Sequence, residues 1–381
     1  MKISDVTVYK VKPRWIFVKI STDEGIEGWG EMISGTKTET VVAGAYEIGN
    51  RLIGRNPFEI ERLFQEMHRS FFRGGPINGT IVSGLEMALW DIKGKAFNVP
   101  VYELLGGAAR DKIKVYSWIG GDRPSEVAEQ AQDRFDRGFT AVKMNATEEL
   151  HYIDSYQKVD EVVERVASIR ERFGDAMDIG VDFHGRVHKP MAKVLAKALE
   201  PFHPMFLEEV VLPENEEHFK EVADYVAVPL ATGERLYTRW QFKNLFKQGT
   251  VDIIQPDVAL CGGILETRKI AAMAEAYDMA VAPHAPYGPV ALAATLQVDS
   301  CTPNVFIQEQ SLGIHYNKGF DLLDFVKNKE VFQYKDGYVD LPSKPGLGLE
   351  MDEDKIKEIA QEGLIWTNPQ WKNYDGTIAE W

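Results

Sequence analysis

The chain has 381 residues, 43 basic and 58 acidic, for a net charge of −15, with 44% hydrophobic and 27% charged residues. These are the proportions of a globular protein, and the length predicts two domains or one barrel with additions. The acidic balance excludes a nucleic-acid binder, which needs a basic face, but not a small anionic substrate, since one metal ion reverses the local field.

Cys261 and Cys301 are the only cysteines, which leaves no zinc spacing and no disulfide framework. Met1 to Asp5 opens on a strand pattern rather than a leader, and no apolar run is long enough for a membrane span. A reducing, cytoplasmic setting is expected. The first 35 residues read as a β-meander: a run through Ile3, Val6 and Val8, a second over Trp15–Ile20 and a third over Ile26–Glu31, with Asp23-Glu24-Gly25 as a turn. Helical spacing follows at Leu52, Ile60, Leu63, Phe64 and Met67, and again from Ile81 to Lys95, with Arg73-Gly74-Gly75-Pro76 as a breaker between them. Residues 1–112 are therefore expected to form an α+β domain.

From Ile113 the pattern alternates. β-rich runs fall at Ile113–Trp118, Thr140–Met144, Met177–Asp182, Met205–Glu208, Val228–Ala231, Asp252–Gln255, Met279–Ala282 and Asn304–Gln308. Helical pieces separate them, such as Ser125–Arg137, Ala192–Leu199, Glu216–Tyr225, Thr267–Tyr277 and Val290–Val298. Eight β/α units predict a closed α/β barrel of the (β/α)8 type over 113–320, and the strand count disfavours an open doubly wound sheet. Residues 321–381 are rich in Lys, Asp, Pro and Trp and do not read as a further unit.

The strand ends carry the chemistry. Lys143 ends the second run, Asp182 the third, Glu208 the fourth, Asp257 the sixth, His284 the seventh and Glu309 the eighth, with Glu234 just after the fifth. From Asp182 onward the steps are 26, 26, 23, 27 and 25 residues, close to one β/α unit each. One such residue is ordinarily a cap or a solvated loop residue. Six in phase, on the rim where barrel active sites lie, point to a site. Converging Asp182, Glu208 and Glu234 repel unless a cation sits among them, and oxygen-only ligands select a hard ion, Mg²⁺. His184, two residues past Asp182, would share its face in an extended segment. His188 reads as a surface histidine. Asp257 and His284, on neighbouring strands, are expected to form a dyad suited to a general base. Lys143 reads equally as a cation for a substrate carboxylate and as an anchor for the barrel carboxylates.

The residues also resemble the enolase superfamily, in its mandelate racemase branch. The matching segments are Arg73-Gly74-Gly75-Pro76, Trp90 to Lys95, Asp182-Phe183-His184-Gly185-Arg186, Gly233-Glu234-Arg235, Gln255-Pro256-Asp257, Ala282-Pro283-His284, Gln308-Glu309-Gln310, Gly313 to Gly319 and the final Ala379-Glu380-Trp381. The resemblance implies a cap formed by both termini, Mg²⁺ on Asp182, Glu208 and Glu234, His284 as proton acceptor partnered by Asp257, and His184 as proton donor. It further implies Glu309 as the group that stabilises an enolate-like intermediate, a homo-oligomer, and dehydration of an anionic sugar acid. A cap of this kind sets specificity, with Arg14, Trp15 and Arg73 as candidate substrate contacts beside Lys143 and Asn145. Two departures stand out: Glu208-Glu209-Val210 replaces Glu-Glu-Pro, and Lys143-Met144-Asn145 replaces Lys-x-Lys, which removes the second base of a racemase. A racemase or epimerase, a dehydratase of another acid sugar and a non-catalytic sugar-acid binder are the rival readings.

Overall fold

The structure, a computed structural model, describes every residue except 34, 70–72, 365 and 381. Trp381 of the closing motif therefore lies outside the described residues. The N-terminal domain opens with an antiparallel sheet of β1 (Ile3–Val11), β2 (Trp15–Thr22) and β3 (Glu27–Ile33). Helices α1 (Thr38–Gly49), α2 (Ile60–His68) and α3 (Pro76–Phe97) follow. The third begins at Pro76, earlier than the periodicity from Ile81 suggests, because proline's fixed φ suits the first turn of a helix. It lies close on β3: a Cβ at Gly28 would sit 2.1 Å from the Ala88 carbonyl oxygen, and one at Gly30 would sit 1.8 Å from that of Gly84. Glycine there is what lets strand and helix touch.

After α4 (Val101–Leu104) the chain enters eight parallel strands: β4 (Lys112–Ile119), β5 (Ala141–Asn145), β6 (Asp178–Asp182), β7 (Phe206–Glu208), β8 (Leu230–Thr232), β9 (Ile253–Ile254), β10 (Ala280–Val281) and β11 (Gln308–Gln310). Neighbours pair in sequence order from β4 to β10, and β11 pairs with β4, Glu309 opposite Tyr116. A bridge between Val281 and Val305 completes the circuit. The eighth strand thus lies later than the apolar run at Asn304–Gln308 indicates, since the run's first residues bridge to β10 before the ladder to β4 begins.

Seven helices connect the eight strands: α5 (Val127–Asp136), α6 (Tyr156–Phe173), α7 (Lys189–Leu199), α8 (Phe219–Ala223), α9 (Thr238–Gln248), α10 (Ile264–Glu275) and α11 (Pro289–Ser300). The expected eighth unit carries a strand but no α-helix before residue 334 among the described residues. The chain instead makes a hairpin of β12 (Tyr334–Lys335) and β13 (Tyr338–Asp340), and β13 adds antiparallel to the start of β4, Tyr338 opposite Lys114. The C-terminal segment therefore extends the barrel sheet as well as returning to the cap. Helix α12 (Glu353–Ala360) sits against β1, where Glu353 accepts hydrogen bonds from Tyr9 and Lys19. No described helix is long and apolar enough to cross a membrane.

Candidate active site

Inside the barrel an apolar layer of Tyr116, Ala141, Phe206, Ala231, Ile253, Ala282 and Ile307 fills the axis. Successive residues of a strand face opposite sides, so the residue two positions on faces inward again. That rule carries Ala141 to Lys143, Phe206 to Glu208, Ile253 to Gln255 and on to Asp257, Ala282 to His284, and Ile307 to Glu309. Glu234 breaks the phase, coming three residues after Ala231. Gly233 makes the shift: its φ of +140° is open to glycine, and a Cβ there would meet the Phe242 ring at 2.9 Å.

The side chains converge on one cavity of about 260 Å³, whose lining includes Lys143, Asp182, His184, Glu234, His284 and Glu309. Deepest is an ionic knot. The Lys143 ammonium lies 2.8 Å from Glu208 Oε1 and 2.9 Å from Glu309 Oε1. Gln255 donates to Glu208 Oε2 at 2.7 Å, and the Ala285 N–H donates to Glu309 Oε2 at 2.9 Å. Burial would lower the Lys143 pKa, but Glu208 and Glu309 outweigh it and push it well up. Of its two readings, the anchor is the one with contacts on both sides.

His284 Nδ1 is 2.7 Å from Asp257 Oδ2, and Asp257 Oδ1 accepts the Ala259 N–H at 2.7 Å. The carboxylate fixes the ring so that Nε2 faces the cavity, 3.5 Å from Glu234 Oε2 and 3.9 Å from Glu309 Oε2. Burial opposes the charged imidazole, yet Glu234, Glu309 and Asp257 prevail and raise its pKa to about 10. Glu234 is held below the usual carboxylate range despite its burial, chiefly by His284 and Arg235, whereas burial and the neighbouring anions push Glu208 well up. Such divergence marks crowded carboxylates.

His184 is reached differently from the expected extended segment. The chain turns at it, with φ +56°, and Asp182 Oδ1 accepts the His184 N–H at 2.6 Å while Oδ2 lies 3.0 Å from Nδ1. The short acidic side chain closes a local turn in place of an extended strand, and the imidazole folds back beside it. Arg235 holds this turn from behind by donating to the His184 carbonyl at 3.1 Å and to Glu209 at 2.9 Å. Arg235 and Glu209 appear in the sequence only as neighbours of the metal-ligand candidates, and their pairing is a matter of three dimensions.

A cation fits this cluster. Asp182, His184 and Glu234 offer ligand atoms within 4.8 Å of one another, and Glu234 Oε2 is buried with no hydrogen-bond donor among the described residues. Glu208 is not in that group; its two oxygens accept from Lys143 and Gln255, and each keeps a second lone pair that a metal could use.

The cap candidates divide. Arg14 lines the cavity, its guanidinium over the Tyr316 ring at 4.9 Å and donating to the Pro286 carbonyl. Trp15, the next residue along the chain, faces the other way into the core, 1% exposed and edge-on to Phe325 at 5.6 Å. Arg73 lines a separate hollow with His68 and Trp240, because the Gly74-Gly75 turn after it brings Pro76, not Arg73, to the main cavity. Asn145 is fully buried, is not part of the cavity lining, and its amide has no hydrogen-bond partner among the described residues. His188 is not the surface histidine expected: it is buried, stacked on Tyr152 at 3.6 Å.

Comparison with known proteins follows the same lines. Residues 1–106 match the mandelate racemase / muconate lactonizing enzyme N-terminal domain, and residues 126–355 match the enolase C-terminal domain-like family. A D-galactonate dehydratase of Cronobacter sakazakii is 51% identical over the whole of both chains. An enolase structure from Agrobacterium radiobacter, with sodium and L-malate bound, superposes with a TM-score of 0.90 at 34% identity over all of both chains. A member of the enolase superfamily from Salmonella Typhimurium gives 0.84 at 31% identity, over 94% of this chain and 98% of that one.

Proposed function

The chain belongs to the enolase superfamily, in its mandelate racemase / muconate lactonizing branch, and from that premise we propose that it dehydrates D-galactonate to 2-dehydro-3-deoxy-D-galactonate and water. The observation that carries the reading is the Asp257–His284 dyad facing the Asp182–His184 pair across one small cavity. A cavity of about 260 Å³ suits a compact acid better than a drug-sized ligand, for which roughly 300–1,000 Å³ is usual.

The hydrogen on C2, next to a carboxylate, is a very weak acid. Asp182 and Glu234, with Glu208 behind them, would hold Mg²⁺, which when bound acts as a Lewis acid toward the substrate carboxylate. His284 Nε2, in the neutral form it would have once a cation offsets the charge of Glu234, takes the C2 proton, and Asp257 holds the imidazolium that results. The electron pair left on C2 forms the C2–C3 double bond as the C3–O bond breaks. His184 gives its proton to the departing hydroxyl, which leaves as water. The resulting enol ketonises to the 2-keto acid. Glu309, held by Lys143, borders the same wall and in its protonated form would donate a hydrogen bond to the enediolate oxygen. Arg14 faces the substrate from the cap. A homo-oligomer in a reducing cytoplasm belongs to the same reading, in keeping with the buried free thiols Cys261 and Cys301.

The rival racemase needs a base on the opposite face, and Asn145 stands where that lysine would be. The test is incubation with D-galactonate and Mg²⁺ in deuterium oxide. A 2-keto-3-deoxy acid, its formation stopped by EDTA and restored by Mg²⁺, is expected. Deuterium wash-in at C2 without loss of water would make it a racemase, and no change in any acid sugar would reject catalysis.

A further inference from the structure

The chemistry sits on the barrel rim, so the reacting carbons C1 to C3 belong beside Asp182, Glu234 and the two histidines. The rest of a six-carbon acid then runs toward the cap and the C-terminal tail. That wall consists of Arg14, Ile33, Gly35 and Pro76 from the cap, with Trp366 and Asn368 from the tail. The tail is pinned in place. The Asn368 N–H donates to Thr36 Oγ1 of the cap at 3.0 Å, the Trp366 ring stands edge-on to Tyr316 at 5.5 Å, and Arg123 lies over Trp371 at 4.2 Å.

Most polar groups on that side are committed. Arg14 donates to Pro286 and Asn317 and lies over Tyr316, whose hydroxyl is bonded to Asp122. Ile33, Gly35 and Pro76 have no polar side chain. The Trp366 indole N–H donates to Asn368 Oδ1 at 2.7 Å, which fixes the amide and leaves its NH₂ as a donor on the tail side, the Tyr287 hydroxyl being a second cavity-lining donor on the barrel side. Trp366 and Asn368 lie beyond residue 355, where the family match ends, whereas the acid, base and ligand residues lie within it. The chemistry common to the family is thus carried by one part of the chain, and this contact by another.

We propose, resting on the sugar-acid reading above, that Asn368, oriented by Trp366, is a specificity residue that hydrogen-bonds the terminal hydroxyl of the substrate. A site built to bond a hydroxyl discriminates against the analogue lacking it, because a polar group is then left unpaired. The probe is D-galactonate against its 6-deoxy counterpart, which differs only at that hydroxyl. Affinity is read as KM for galactonate and as the inhibition constant for the 6-deoxy acid, so both give a number whether or not the second turns over.

The wild type should prefer galactonate by about threefold to tenfold, the value of one neutral hydrogen bond. In Asn368→Ala the galactonate KM should rise by about that factor while the 6-deoxy constant moves by less than about twofold. Trp366→Phe keeps the ring on Tyr316, removes only the N–H, and should shift the preference the same way. Equal weakening of both acids, an unchanged preference, or a wild type indifferent to the 6-hydroxyl would overturn the assignment while leaving dehydration intact. A wild type that makes no 2-keto acid from galactonate overturns the sugar-acid reading and this assignment with it.

Discussion

The buried carboxylate of Glu31, on strand β3 of the cap, accepts the backbone N–H of Gly288 at 2.6 Å, at the first turn of barrel helix α11. It also accepts the Ala291 N–H at 3.0 Å. Anions are favoured at helix N-termini, where N–H groups lack intrahelical partners. Glu86 of α3 does the same at α10, accepting from Ile264 and Leu265. The cap is therefore docked by two carboxylates set into helix ends, and Glu31 grips the segment that carries His284.

Glu31→Gln turns an NH₂ toward one of these donors. A buried donor left unsatisfied costs about 1–3 kcal/mol. The variant should lose that much in urea unfolding and lower kcat as the His284 loop loosens. Unchanged stability together with unchanged kcat would show that the contact positions nothing.

Lys143 offers a sharper choice. An anchor removed as Lys143→Met leaves Glu208 and Glu309 buried and unpaired, at a cost of about 3–5 kcal/mol. Adding Glu309→Gln should recover part of that loss, as a double-mutant cycle would show. Were Lys143 a substrate contact only, stability would hold and KM alone would rise.

The rim was legible in the sequence because a strand has period two: Lys143, Glu208, His284 and Glu309 each follow an inward apolar residue at i+2, Ala141, Phe206, Ala282 and Ile307, while Glu234 is shifted by one at Gly233. The pairing of Asp257 with His284 needed only neighbouring strands. The turn at His184 was not legible, since whether Asp182 continues a strand or closes a turn depends on Arg235 and Glu209 arriving from two other strands. Trp15 misled because the sequence shows an aromatic beside a turn but not which face of β2 is open. Trp366 and Asn368 lie in a tail without periodicity, so nothing local marks them as cavity residues.

The dyad predicts a graded loss. His284→Asn removes the base and should lower kcat by about 10²–10⁴-fold with the fold intact by circular dichroism. Asp257→Asn leaves the base but not its partner, and an orienting group of this kind is worth about 10–100-fold. Equal activity in wild type and Asp257→Asn would remove Asp257 from the mechanism.

The join between cap and tail should be acid-labile. Glu353, at the start of α12, accepts from Tyr9 Oη and Lys19 Nζ at 2.8 Å and lies 2.9 Å from Lys357 Nζ. Burial works against its charge, but Lys19, Lys357 and Tyr9 prevail and lower its pKa from 4.5 to about 2. A carboxyl whose pKa is lower folded than unfolded stabilises above the unfolded value and loses that contribution as the pH falls through the folded one. The anchor of α12 should weaken from pH 4.5 downward and be gone near pH 2. Hydrogen exchange of the α12 amides, compared between pH 5 and pH 3, should show protection falling in the wild type. Glu353→Gln, uncharged throughout, should begin with less protection and change little over that range. Parallel curves for the two proteins would mean that the acid sensitivity of the tail lies elsewhere.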